Sequence, residues 1–270
     1  LKPTQVNAFT PSQFAQLASR QVSLLNRSQV ESISDRQAAV FSAEQISAVN
    51  PSVIGYLKNE AVAAINPKVI PSLSEQQIAA MKSAQISVFT EDQISALEAN
   101  QIAAMSSIQL NAISHVNVLT ATQLNAVNEK AATSLSGAFV KEISDQIFTR
   151  LAGSFVGKLN PNVIPSLALN QLEAITSIQS PYLTIPQIKK FTTPFDLSGN
   201  PSIGGIQPLV YKGTPNQVAK LTVSALSAMS TAQLIAFSAF QYIAMSDVQK
   251  ALIKGRVGEP IGVLKLILPV

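Results

Sequence analysis

An eight-residue period runs through almost the whole chain, and no single unbroken helix can carry it. From Pro3 to Ser114 the sequence divides into fourteen consecutive octads without a gap, among them Pro3–Thr10 (PTQVNAFT), Ala43–Asn50 (AEQISAVN) and Glu91–Glu98 (EDQISALE). A six-residue piece, His115–Thr120, shifts the frame. Nine octads follow from Ala121 to Thr192, an irregular stretch covers 193–214, and five last octads run from Pro215 to Lys254. The consensus is x-x-Gln-Ile-x-Ala-Leu-Ser/Thr. Position 7 is apolar in all 28 octads and position 4 in 26, failing only at Ser180 and Lys250; 19 of the 23 glutamines fall at position 3.

Eight residues of α-helix rotate about 80° past two full turns. In an unbroken helix the apolar pair at positions 4 and 7 would drift around the whole surface, which a helix with one wet face does not allow. The chain must therefore break near every octad boundary, and the boundary residues supply the break. Position 8 is Ser, Thr or Asn in 21 of 28 octads, the residue types that cap helix N-termini. Glutamine follows three residues later, completing a capping box in Thr10…Gln13, Ser42…Gln45, Thr90…Gln93, Ser230…Gln233 and Ser246…Gln249. Proline opens six octads (Pro3, Pro11, Pro51, Pro67, Pro161, Pro215), at the first helical position where its missing N–H costs nothing.

Each octad thus reads as a capped helix of under two turns, too short to stand alone and buried only against its neighbours. The expected fold is all-α, a solenoid or superhelix of short capped helices. It forms a single domain over residues 1–254, with a C-terminal tail at 255–270. Where the cap residue is missing, as at Lys82 or Glu98, adjacent octads are expected to fuse. A longer repeat lies over the short one: Asn66–Leu73 (NPKVIPSL) recurs as Asn160–Leu167 (NPNVIPSL), and its prolines suggest a corner where the superhelix turns. The string points to two related lobes or superhelical turns.

Tandem Thr/Ser-x-x-Gln-Ile-x-Ala-Leu units, with Val69-Ile70-Pro71-Ser72-Leu73-Ser74-Glu75-Gln76-Gln77 among them, resemble two groups. One is the mesothelin, stereocilin and otoancorin family of extracellular superhelical repeat proteins; the other is the octad arrays of very large bacterial adhesins. Both resemblances imply a short-helix superhelix and an extracellular or cell-surface setting. Thr214-Pro215-Asn216-Gln217-Val218 is similar to the opening of the repeats of bacterial DNA-reading effectors, but the full unit and its base-reading loop are not found.

Chemistry-bearing residues are sparse. The chain has no cysteine, one histidine and only 13% charged residues, so thiolate chemistry and disulfides are excluded. His115 sits in the frame shift, and the nearest carboxylates in sequence are Glu98 and Glu129. Metal sites need three or four ligands, so it reads as a loop histidine. The adjacent acids Glu91 and Asp92 suit the first turn of a helix, where they complement its dipole. The Gly-rich stretch Ser198–Gly205 lacks the lysine of a phosphate loop and reads as a surface turn. It lies in the 193–214 interruption, the most promising place for a specific contact, whose one carboxylate is Asp196. Asn26-Arg27-Ser28 is a glycosylation sequon. Net charge is +4, with Lys and Arg scattered singly except for Lys189-Lys190; a nucleic-acid surface would gather them on one face. The chain begins at Leu1, as a processed chain or a fragment would. The apolar tail Ile261–Val270 is too short to span a bilayer.

No catalytic, cofactor-binding or metal site is expected, and no cofactor. The sequence reads as a non-enzymatic extracellular structural or adhesion scaffold, with end-to-end self-assembly open to it and with itself or other surface or matrix proteins as partners. The alternatives are a binding solenoid for peptide, glycan or nucleic acid, and an enzyme using Ser or carboxylates around 193–214.

Overall fold

A computed structural model describes residues 1–168, 171, 174–190, 221–235, 237, 242 and 245–258. Among these the chain is all-helical, with no strand. Most helices are four to six residues long, one per octad: Pro3–Asn7, Pro11–Ala15, Ser19–Ser23, Arg27–Glu31, Asp35–Ala38, Ala43–Ala48 and so on. The octads are distributed over two compact units, Leu1–Ile143 and Ser144–Val270.

The breaks fall where the period demands them. Ser42, Thr90 and Ser246 stand in extended backbone, and their side chains accept from the N–H of Gln45, Gln93 and Gln249. The fusion expected at Lys82 and Glu98 does not occur. Both residues remain extended N-caps (φ, ψ of −77°, 152° and −86°, 161°). Each donates its own backbone N–H to the Oε1 of the glutamine three residues on, at 2.8 Å in both cases. The glutamine half of the capping box therefore suffices to start a helix. Fusion happens elsewhere: Asp247–Val257 runs through Lys254 into the expected tail and stops at Gly258, whose φ of 74° suits glycine.

The two proline strings are not corners. Pro67–Ser72 and Pro161–Ser166 form six-residue 3₁₀ helices in the place of an α-helical octad, one in each unit. Pro71 and Pro165 lie inside them, and Asn66 and Asn160 cap the N–H of Lys68 and Asn162. The frame-shift piece is likewise helical, a 3₁₀ turn at Val116–Val118.

Helices stack on the third helix along the chain. In the first unit Pro3–Asn7 packs on Arg27–Glu31, Ser19–Ser23 on Ala43–Ala48, and Asp35–Ala38 on Asn59–Ala64. In the second, Ile185–Lys190 packs on Pro161–Ser166 and Val223–Ala228 on Asp247–Val257. Three octads therefore make one turn. Positions 4 and 7 fill the interior: Ile46, Ile54, Ile78, Ile94 and Ile102 at position 4 are fully buried, with Val49, Leu57, Met81, Leu97 and Met105 at position 7. Phe14 and Phe41 meet edge-to-face, 5.2 Å between centroids.

Candidate functional site

The most repeated polar arrangement is built on the position-3 glutamine. Its Oε1 accepts the N-cap N–H of its own helix: Ser34 N–H to Gln37 at 2.9 Å, Ser74 to Gln77 at 2.7 Å, Thr90 to Gln93 at 2.9 Å. Its Nε2 faces the other way and donates to main-chain carbonyls four units earlier. Gln77 reaches Ile46 at 2.8 Å and Val49 at 2.7 Å; Gln93 reaches Val62 at 3.0 Å and Ile65 at 2.7 Å; Gln101 reaches Ile70 at 2.8 Å and Leu73 at 2.7 Å. Gln179 and Gln187 repeat the geometry in the second unit, on Phe148 and Leu151 and on Val156 and Leu159. The acceptors are the position-4 and position-7 carbonyls, which a short helix leaves without a full set of donors. One side chain thus starts its own helix and closes the end of another.

The sequence separation is 31 and 28 wherever four intact octads intervene. For Gln123, which looks back across His115–Thr120, it is 29 and 26, on Ile94 and Leu97. The six-residue piece therefore fills one unit's place, two residues short. For Gln233 it is 53 and 50, on Ser180 and Leu183, longer by the full length of the interruption at 193–214.

Position 3 is Ala in the octad Glu129–Ser136, and there Asn128 does both jobs. Its Oδ1 accepts from Ala131 N–H at 2.9 Å, and its Nδ2 donates to the carbonyls of Ala103 and Met105. A groove of about 420 Å³ opens at this place, lined by Met81, Met105, Ile108, Asn128, Lys130 and Ala131 among others. On the first unit a second feature links three turns: the Tyr56 ring lies 4.1 Å from the Arg27 guanidinium carbon and 4.9 Å from Lys82 Nζ.

The residues singled out in the sequence do not converge. His115 is half-buried as the N-cap of the 3₁₀ turn Val116–Val118, and its side chain makes no capping bond. Glu91 and Asp92 lie in the first turn of Glu91–Ser95, as capping acids. Asn26 spends its Oδ1 on Gln29 N–H. Lys190 closes the helix Ile185–Lys190. Asp196, Ser198–Gly205 and Thr214–Val218 fall outside the described residues. No group of three His, Asp or Glu poised for a metal occurs among the described residues. No helix among them is long and apolar enough to cross a membrane.

The sequence comparison agrees with this local architecture. Residues 70–107 match the ALTTAQ repeat family. In one-letter code that name spells octad positions 6, 7, 8, 1, 2 and 3, ending on the clamping glutamine. Val118-Leu119-Thr120-Ala121-Thr122-Gln123 is a similar string here. The chain matches no curated protein. It is a cysteine-free, short-helix repeat protein.

Proposed function

We propose that this chain is a non-enzymatic structural or adhesion scaffold working outside the cell or at its surface. The observation that carries the reading is the glutamine clamp. The polar side chains that recur in register are spent on joining one helix to another, so the repeat is a device for stacking short helices turn upon turn. Low charge, absence of cysteine and the likeness to octad arrays of surface proteins agree with it. Antibody labelling of intact, unpermeabilised source cells tests the setting; signal only after permeabilisation overturns it. Beads coated with the chain test adhesion and are expected to retain cells or matrix under shear that removes albumin-coated beads.

The groove beside Ala131 supports a second reading, a binding solenoid for an apolar peptide. Met81, Met105 and Ile108 give it an oily wall, and Lys130 stands at the groove. Loss of peptide-library enrichment in Ile108→Asp, a change at a side chain that is 70% exposed, against the parent chain would separate this reading from the first.

A further inference from the structure

The octad Glu129–Ser136 is the one octad with alanine at both position 3 and position 4, Ala131 and Ala132. Its neighbours carry long side chains at position 3, Gln109 and Gln123 before it and Phe139 after it. Asn128 has taken over the polar work, bonding Ala131 N–H and the carbonyls of Ala103 and Met105. Ala131 is buried, and the groove of about 420 Å³ opens against it. The hollow is what the missing side chain leaves.

The groove's lining is one-sided in charge. Lys130 is exposed, is the one charged residue of the lining, and has no partner for its ammonium among the described residues. The apolar surface open to an occupant comes from Ala79, Ala104 and Ile108, which are exposed or half-buried. The hydroxyls of Ser83 and Ser107, half-buried in the same lining, make no hydrogen bond among the described residues. A cavity of this volume belongs to the small-ligand class, so it suits the end of a chain and not a long segment. One cation beside an apolar surface complements a single negative charge carried next to an apolar group. The free hydroxyls match the amide groups of a peptide, which a fatty acid lacks.

We propose that this groove takes the C-terminus of a partner peptide ending in an aliphatic residue. The last side chain lies on Ala79, Ala104 and Ile108, the terminal carboxylate meets Lys130, and the last amides meet Ser83 and Ser107. Capture of a terminal carboxylate is a recurrent mode of peptide recognition. The inference rests on the binding reading of this groove and names its ligand.

Fluorescence polarisation with the whole chain tests it, using an N-terminally labelled hexapeptide ending Ala-Leu-Ile as the free acid and as the C-terminal amide. The free acid is expected to bind about two- to fivefold tighter, the span of an exposed ion pair. That gap is expected to close in Lys130→Gln and at high salt. Ala131→Gln restores the long side chain and is expected to abolish binding of both peptides without lowering the melting temperature. The comparison of acid with amide does not depend on that variant folding. Equal affinity for acid and amide overturns the carboxylate contact and leaves the apolar-peptide reading standing, whereas no binding of either peptide defeats both. Binding that survives Ala131→Gln places the peptide elsewhere and overturns the proposal. Decanoate that displaces the labelled acid at a lower concentration than the unlabelled peptide does also overturns it, in favour of a lipid chain.

Discussion

Glutamate completes a capping box as well as glutamine does, yet position 3 holds glutamine nineteen times and an acid never. The difference between the two side chains is the amide Nε2, and its use is the clamp. Gln93 is fully buried, so Gln93→Ala should strand the Val62 and Ile65 carbonyls and cost about 2–3 kcal/mol. Gln93→Glu should cost at least as much, because it buries a carboxylate against carbonyls. Thr90→Ala removes only the cap, about 1 kcal/mol. Urea unfolding of the three variants checks the order; equal costs for Gln93→Glu and Thr90→Ala would mean that the clamp contributes nothing. The capping role was legible in the sequence because its partner lies three residues away. The clamp's acceptors lie four octads back and are backbone atoms, which no side-chain pattern marks. Only the preference for the amide over the acid pointed to them. A smaller effect belongs to Glu44. Its carboxylate is held below the ordinary value by a backbone hydrogen bond first and the Ser42 hydroxyl second. Being depressed in the folded state, it adds stability above the ordinary carboxylate range that is lost as pH falls through its folded value. Ser42→Ala should move the Glu44 titration upward in a carboxyl NMR experiment.

Helix boundaries followed from position 8 and position 3 taken together, and the departures have local causes. Lys82 and Glu98 lack a capping side chain, but the glutamine that follows holds their N–H, so the helix still starts there. Pro71 and Pro165 lack an N–H, and the 3₁₀ form accommodates them without leaving the stack. The sequence showed a break-former and suggested a bend, whereas the neighbouring turns impose a helix. Close packing of elements was not legible at all. A Cβ added at Gly157 would stand 2.6 Å from the main-chain oxygen of Tyr182, while one at Gly153 would meet only the Tyr182 ring. That ring is 54% exposed and has room to swing away. Gly157→Ala should therefore lower the melting temperature, at a cost of about 1–3 kcal/mol for overpacking. Gly153→Ala should cost less, offset by the helix preference of alanine. A larger loss at Gly153 than at Gly157 would show that the ring, not the backbone, is the rigid partner.

At the scale of the whole molecule, stability should vary along the chain with the pattern of clamps. Val53, Ala61 and Val69 occupy position 3 where glutamine is missing. The carbonyls of Leu25, Ile33 and Phe41, which would have been their targets, receive no side-chain donor among the described residues. The next three octads are clamped: Val49 accepts from Gln77, Leu57 from Gln85 and Ile65 from Gln93. Native-state hydrogen exchange should show faster opening in Ser19–Ser23, Arg27–Glu31 and Asp35–Ala38 than in Ala43–Ala48, Pro51–Ile54 and Asn59–Ala64. Uniform protection across all six would sink the idea that clamps set local stability. The fold class and the octad count were open to reading from the sequence because they repeat. The number of octads per turn was not, since it depends on how neighbouring faces meet.

Gln233 finds its carbonyls as though the interruption at 193–214 were not there, and Gln123 treats the short piece His115–Thr120 as a full unit. The stack therefore counts helices, not amino acids. A chain that keeps its place in this way can take in foreign sequence wherever one helix hands over to the next, and the joints on either side go on finding their partners. Inserted sequence and the clamped stack of helices can then change independently, the first by insertion and the second one octad at a time.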